Sequence, residues 1–224
     1  FGHQSVGGNI IDGAAAVLEA HPEIPLRVME ASSLDSRSAP GLYHARVGNN
    51  GDPASKANAF AALTDAGSPD VALFKYCYVD VKPGTDPDAL FADYQRRIEE
   101  LKASHPDVLI VHVTMPLTTH ENWKGALRAR LERRTSQRAL GVLRNRYNRL
   151  LSSAYAGKEP VFDLARLEST RLDGSRVFFE RNGERVYALE PSYSHDGSHL
   201  DPSARRRVAE AFLAFLAQLP DGHE

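Results

Sequence analysis

Apolar residues recur along this chain with two periods, one typical of helices and one typical of buried strands. After Ser5, apolar positions at helical spacing predict a helix that ends at His21-Pro22. Residues 70–79 and 108–113 are near-continuous apolar runs, as expected for strands buried on both faces. Helices are also predicted over residues 54–66, 86–104 and 204–216, and over a longer stretch that reaches Ala156 and is broken near 134–137.

The alternation of these strands and helices predicts an α/β fold, a three-layer α/β/α sandwich. Its sheet is expected to be flavodoxin-like, parallel and five-stranded, with short strands at residues 26–29 and 161–164 and a truncated strand at the start of the chain. Asn182-Gly183 predicts a small β-hairpin over 177–189. Residues 31–53 are predicted to be a long loop, and residues 1–224 to form one domain.

Composition narrows the classes of function. The 224 residues carry a net charge of −2, so no global field favours nucleic acid. No apolar run approaches the roughly 20 residues of a membrane-spanning helix. Cys77 is the single cysteine, which excludes an internal disulfide. Because the chain begins at Phe1, we expect a missing N-terminal segment, and this start favours a periplasmic or secreted protein.

Candidate chemistry lies at the two ends of the chain. Ser5 precedes Gly7-Gly8 at the predicted start of a helix, where backbone N–H groups face a bound carbonyl. A serine nucleophile needs a base, and Asp196-Gly197-Ser198-His199 supplies a carboxylate that a turn at Gly197 brings to the imidazole. Ser5 also has a simpler interpretation as a helix N-cap.

The serine turn and the distant Asp-x-x-His resemble the SGNH, or GDSL-like, hydrolases. The resemblance covers essentially the whole chain and extends to a bacterial subgroup with a Ser-Val-Gly-Gly-Asn first block. Its further segments here are Arg46-Val47-Gly48-Asn49-Asn50-Gly51-Asp52-Pro53, Phe162-Asp163-Leu164-Ala165 and Asp196-Gly197-Ser198-His199-Leu200.

The resemblance implies an esterase, lipase, carbohydrate deacetylase or acyltransferase without a metal or organic cofactor. It implies Ser5 as nucleophile, His199 as base and then acid, Asp196 as the orienting carboxylate, and the Ser5 and Gly48 N–H groups as oxyanion donors. Two positions depart from the family pattern. Gln4 replaces the usual Asp, and the third block reads Cys77-Tyr78-Val79-Asp80 without the usual Asn.

The third oxyanion donor is therefore expected elsewhere, with Asn49 and Asn50 as the nearest candidates. Residues 48–51 also fit turn chemistry alone. Lys75 and the Tyr78 hydroxyl are weaker candidates for the donor. We predict that His3, Lys75 and Tyr78 contact the substrate.

We expect a serine-dependent carboxyl-ester hydrolase, an esterase or carbohydrate O-deacetylase that forms an acyl-enzyme on a small-molecule or carbohydrate ester. Two alternatives remain open: a carbohydrate O-acetyltransferase with the same triad, and a non-catalytic carbohydrate-binding domain. A third interpretation makes His195, Asp196 and His199 metal ligands, but Gly197 between them favours a loop over a zinc-binding helix. Nine basic residues between 124 and 149 are predicted to form a solvated helix face, or else to hold an anionic polysaccharide.

Overall fold

A computed structural model of the chain describes residues 1–31, 39–121 and 136–220. Its central feature is a sheet of six strands in which every neighbouring pair is parallel. The strands are β1 (Gly2–His3), β2 (Val28–Glu30), β3 (Leu42–Arg46), β4 (Val71–Phe74), β5 (Leu109–Val113) and β6 (Val161–Phe162). Their order is β2-β3-β1-β4-β5-β6, which is the flavodoxin order with one more strand at the edge.

Helices cover both faces of this sheet, as the alternation of elements predicts. Their bounds are α1 (Ser5–Ala20), α2 (Pro53–Gly67), α3 (Pro87–Ser104), α4 (Gln137–Tyr155), α5 (Leu164–Ser169) and α6 (Pro202–Leu216). The side chains of strand β4 point into two separate cores, one on each face of the sheet. Leu73 joins the core under α1 and α6, whereas Ala72 and Phe74 join a second core under α2, α3 and α4. Because side chains alternate along a strand, a strand buried on both faces must be apolar throughout.

Chain order changes direction at β1, which lies between β3 and β4. Parallel strands of this kind open a crevice at their carboxyl ends where the order reverses. The residues that follow β1, β3 and β4 are Gln4, Val47 and Lys75, and each begins a segment with predicted site residues. The topology therefore brings these three segments to one edge of the sheet.

The predicted loop over residues 31–53 is wrong for Leu42–Arg46, which forms β3, so the sheet has six strands and not the five predicted. This strand pairs with β1 on one side and β2 on the other, through partners such as Gly2 with Ala45 and Val28 with Leu42. Leu42 is buried, but the four side chains that follow it in the strand are half-buried or exposed, so the apolar pattern does not reveal this strand. Residues 32–38 of the predicted loop lie outside the described residues.

The predicted strand over 70–79 ends early, at Phe74. A 3₁₀ turn, Tyr78–Asp80, follows it, and the Asp80 carboxylate accepts the Cys77 N–H at 2.7 Å. This capping contact turns the chain out of the sheet. The predicted hairpin is confirmed: β7 (Phe178–Arg181) and β8 (Glu184–Tyr187) pair in antiparallel fashion around Asn182-Gly183, both with positive φ.

The basic stretch is only partly described, because its basic residues from Lys124 to Arg134 lie outside the described residues. In its described part, the prediction of a wholly solvated face is wrong at Arg144, which is 2% exposed. Arg144 points inward because its guanidinium bonds Thr118 Oγ1 and the Tyr78 carbonyl. Within the described residues, no helix combines the length and the apolar composition that a membrane span requires.

Candidate active site

Ser5 is the first residue of α1, directly after β1 and the N-cap residue Gln4. The first helical hydrogen bond runs from the Gly8 N–H to the Gln4 carbonyl at 2.9 Å, and the Gln4 side chain does not cap the helix. The N–H groups of the first turn therefore lack intrahelical acceptors, at the positive end of the helix dipole. Ser5 is half-buried and is the first residue of this turn, so its hydroxyl and these N–H groups belong to the same end of the helix.

His3, the last residue of β1, packs against Gly7 in this turn. A Cβ on Gly7 would lie 2.2 Å from His3 Cβ, so only glycine lets the helix start this close to the strand. His3 Nδ1 donates to the Gln4 carbonyl at 2.9 Å, and Nε2 accepts from His44 Nδ1 at 3.1 Å. Burial lowers the pKa of His3 to about 4, so the ring is neutral near pH 7. With 2% exposure and both nitrogens engaged, His3 has contacts that favour a structural role over the predicted substrate contact.

Gln4 joins the serine turn to the loop after β3. Its Nε2 donates to the carbonyls of Val47 and Gly48, both at 2.8 Å. Gly48 has φ +59, and a Cβ there would lie 2.4 Å from the backbone nitrogen of Lys56. Among the described residues, the Gly48 N–H has no hydrogen-bond acceptor. Gln4, which stands where the family usually has Asp, therefore holds the loop of Gly48, the predicted second oxyanion donor, against the turn that begins at Ser5.

Asp196 and His199 form a tight pair, with 2.5 Å between Asp196 Oδ2 and His199 Nδ1. Asp196 Oδ1 accepts the N–H groups of Ser198 and His199, both at 2.8 Å. Desolvation opposes ionisation of Asp196, but the hydrogen bonds from His199 and Ser198 outweigh it and hold its pKa well below the ordinary value. The ionised carboxylate selects the tautomer with a proton on Nδ1, which leaves Nε2 free to act as a base.

Gly197 lets the chain turn between these two residues. Its φ is +82, and an added Cβ would lie 2.5 Å from Thr119 Oγ1. The Gly197 carbonyl accepts the Thr119 N–H at 2.8 Å, and its N–H donates to Ser194 Oγ at 2.9 Å. The segment after β5 thus anchors the turn that carries the base.

A hydrogen bond joins the His199 loop to the serine helix. Asn9, one turn after Ser5 in α1, accepts the Leu200 N–H on its Oδ1 at 3.0 Å. Within the described part of the chain, Ser5 Oγ and the His199 imidazole do not hydrogen-bond each other. The fold therefore brings the two elements together, and direct proton transfer between the side chains stays a prediction.

Tyr78 also reaches this site from the segment after β4. Its ring centroid lies 6.0 Å from that of His199, with the rings at 75° to each other. Burial raises the pKa of the Tyr78 phenol above its ordinary value, so the hydroxyl remains a proton donor. Among the residues predicted to contact substrate, Tyr78 is the one that lies against the Asp196–His199 pair.

Lys75 is 1% exposed, and burial lowers its pKa. Its Nζ has no hydrogen-bond partner among the described residues, and the same is true of Oε1 of the buried Glu168. Burial raises the pKa of Glu168 to about 8, and each charge partly stabilises the other. This placement favours an internal role for Lys75, beneath the surface that a substrate would reach.

Asn49 and Asn50 are exposed residues of the Gly48 loop. The Asn49 N–H donates to Ser55 Oγ at 2.9 Å, and Asn50 Oδ1 accepts from Lys56 Nζ at 3.2 Å. Neither hydrogen-bonds a triad residue within the described ranges. Their predicted role as oxyanion donors stays a prediction.

A buried ion pair that the sequence pattern does not reveal links the Gly48 and Tyr78 segments. Lys56 Nζ lies 2.6 Å and 2.8 Å from the two oxygens of Asp80, and both side chains are fully buried. Asp80 also accepts the Gly51 N–H at 2.9 Å. A lysine in the first turn of a helix ordinarily suggests a solvated charge, so the pattern carried no signal for this pair.

The two histidines of the proposed metal set use different carboxylates. His195 Nδ1 lies 2.5 Å from Asp201, and the side chain is 91% exposed. His199 instead pairs with Asp196. Among the residues with described positions, no three His, Cys, Asp or Glu side chains are grouped closely enough to hold a metal ion.

Neither a scan of protein-family models nor a search of curated proteins finds a match to this sequence. Solved structures do match. The crystal structure of a proposed acylhydrolase from Bacteroides fragilis aligns over 98% of this chain and 86% of its own, with a TM-score of 0.55 and 14% identity. A GDSL-like lipase from Bacteroides thetaiotaomicron aligns over 97% of this chain and 86% of its own, with a TM-score of 0.56 and 14% identity.

These neighbours share the sheet, its flanking helices and nearly the full length of the chain, at an identity too low to transfer residue roles. A fold by itself does not establish a reaction. The chain has the fold of the SGNH, or GDSL-like, hydrolases.

Proposed function

We propose that this protein is a serine-dependent carboxyl-ester hydrolase that works through an acyl-enzyme. One observation carries the proposal: the 2.5 Å Asp196–His199 pair lies on a loop that hydrogen-bonds to the helix that begins at Ser5. A carboxylate, an imidazole and a serine on such segments are the parts of a catalytic triad.

In this mechanism His199 Nε2 takes the proton of the Ser5 hydroxyl while Oγ attacks the ester carbonyl. The carbonyl π electrons move to oxygen, and the N–H groups of Ser5 and Gly48 stabilise the resulting oxyanion. The C–O bond to the alcohol then breaks, and the imidazolium returns its proton to that alcohol. Water activated by His199 releases the acid and restores Ser5.

A carbohydrate O-acetyl ester is the substrate class that we propose. The side chains of Asp196 and His199 are 54% and 37% exposed, so a bulky alcohol such as a glycan can approach them from solvent. The open site suits a short acyl group on a large carrier better than a long acyl chain, which needs an apolar pocket.

Labelling with a fluorophosphonate tests the proposal. The wild-type protein should label and hydrolyse p-nitrophenyl acetate, and Ser5→Ala should lose both. His199→Ala should lower turnover by about 10³-fold or more with the fold retained, because the residue lies in a loop. A wild type that neither labels nor turns over short-chain esters would refute the proposal. Addition of a glycan acceptor to the assay separates hydrolysis from acyl transfer, since a transferase acylates the glycan.

A further inference from the structure

Leu200, the residue after His199, is held through both of its backbone groups. Its N–H donates to Asn9 Oδ1 at 3.0 Å. Its carbonyl accepts from Arg205 Nε at 2.7 Å, and Arg205 Nη1 lies 3.1 Å from Asp12 Oδ2. The Leu200 side chain is 1% exposed and belongs to the core cluster under α1. Helix α1 therefore fixes this residue directly through Asn9 and indirectly through Asp12.

Asn9 and Ser5 lie four residues apart on α1, so both side chains project from the same face of one helix. Their separation along the axis is about 6 Å, the rise of four helical residues. Asn9 is 7% exposed, so water competes poorly for its hydrogen bond to Leu200. The nucleophile and the anchor of the base are thus parts of one rigid element.

We propose that Asn9 is a positioning residue that sets the distance of the His199 imidazole from Ser5 Oγ. Asp196 fixes the tautomer and rotation of the imidazole, whereas Asn9 fixes the backbone from which the imidazole projects. The inference rests on the proposed function, because it assumes that Ser5 and His199 exchange a proton. Asparagine suits the task since its amide oxygen accepts the N–H without adding a charge beside the triad.

A purely structural role for Asn9 makes a different prediction, and the chain offers a matched control. Asn145 on α4 is 5% exposed, and its Oδ1 accepts the Tyr187 N–H at 2.8 Å. Both asparagines therefore join a helix to a distant backbone N–H. Asn145 serves the β-hairpin, however, and has no hydrogen bond to the triad segments within the described residues.

The experiment compares Asn9→Ala, Asn9→Asp and Asn145→Ala in steady-state hydrolysis of p-nitrophenyl acetate, with stability measured in parallel. Asn9→Ala should lower kcat about 10- to 100-fold with KM within about threefold, since small displacements of catalytic groups have effects of this size. Asn145→Ala should change kcat by no more than about twofold at a comparable loss of stability. Equal effects of the two alanine variants on kcat would overturn the inference.

Asn9→Asp keeps the acceptor oxygen and adds a negative charge. Its kcat should recover to within about fivefold of wild type at alkaline pH, and the acidic limb of its pH–rate profile should move to higher pH because the charge favours imidazolium. An unchanged limb or a loss equal to that of Asn9→Ala would contradict the inference. If Asn9→Ala does not fold, two other results decide the question. One is the shift of the acidic limb in Asn9→Asp, and the other is a loss of kcat in Arg205→Met that is smaller than the loss expected for Asn9→Ala.

The low-field proton resonance of His199 Nδ1–H reports the geometry without turnover. It should broaden or move in Asn9→Ala and stay unchanged in Asn145→Ala. Ser5→Ala separates the two hypotheses. If Ser5→Ala keeps activity, the proposed function fails, whereas lost activity in Ser5→Ala with an unaffected Asn9→Ala refutes only the positioning role.

Discussion

Replacing Gln4 with glutamate should destabilise the protein because, among the described residues, the Gln4 side chain donates hydrogen bonds and accepts none. Gln4 Nε2 donates to the carbonyls of Val47 and Gly48, both at 2.8 Å. A carboxylate of the same shape removes both hydrogen bonds and places negative charge against two carbonyl oxygens. Each lost bond costs about 0.5–1.5 kcal/mol. The unsatisfied charge adds about 1 kcal/mol at this half-buried site, after subtraction of the ~0.3–1 kcal/mol that the positive end of the α1 dipole returns to a negative N-cap residue.

The expected loss is about 2–4 kcal/mol of unfolding free energy at pH 7. A chain of this length should remain folded, with a melting temperature lower by about 4–16 °C. Turnover should fall as well, because Gln4 joins the Gly48 loop to the turn that begins at Ser5. Unfolding in urea and melting followed by circular dichroism measure the loss at pH 7 and near pH 4.

The pH dependence has a definite sign. Carbonyl oxygens disfavour the charged glutamate, so its pKa in the folded state lies above the unfolded value near 4.3. The added charge penalty is absent below about pH 4, where both states are protonated, and is complete above the folded-state pKa. Stability of Gln4→Glu relative to wild type should therefore fall as the pH rises.

Gln137 provides a control in which the amide side chain accepts hydrogen bonds instead of donating them. Its Oε1 accepts from Arg144 and from the Thr118 hydroxyl, so a carboxylate there keeps every contact. Gln137→Glu should change stability by no more than about 1 kcal/mol, and it lies in the first turn of α4, where negative charge is favourable. A Gln4→Glu variant as stable as Gln137→Glu at pH 7 would refute the donor role of Gln4.

Two further predictions concern the turn of the base and the buried histidine. Gly197→Ala combines φ +82 with a contact of 2.5 Å to Thr119 Oγ1, so it should lose fluorophosphonate labelling and about 1–3 kcal/mol. Gly174→Ala has φ +83 and open space, and its thermal melt isolates the backbone cost; equal labelling in both would contradict the role of the Gly197 turn. Because the pKa of His3 is lowered to about 4, the unfolded state binds a proton that the folded state does not, and stability should fall as the pH drops from about 6.5 to about 4. His3→Gln should reduce that slope in urea titrations, and an unchanged slope would assign the effect to other groups.

Local patterns along the chain predict the layers of the fold and the two ends of the candidate site. Apolar runs and helical periods are local signals, and they predict buried strands such as Val71–Phe74 wherever the chain folds. The hairpin at Asn182-Gly183 is equally local, since positive φ at both residues selects the turn. The pair Asp196 and His199 is close in sequence, so its contact was also predictable.

The other features depend on contacts between residues that are far apart in sequence. Strand β3 buries Leu42 alone among its five residues, and it forms because β1 and β2 supply partners on both sides. Gln4 reaches carbonyls more than 40 residues away, and Asn9 meets Leu200 from the other end of the chain. Polar side chains have several possible partners, and only the folded backbone determines which of them lies within hydrogen-bond distance.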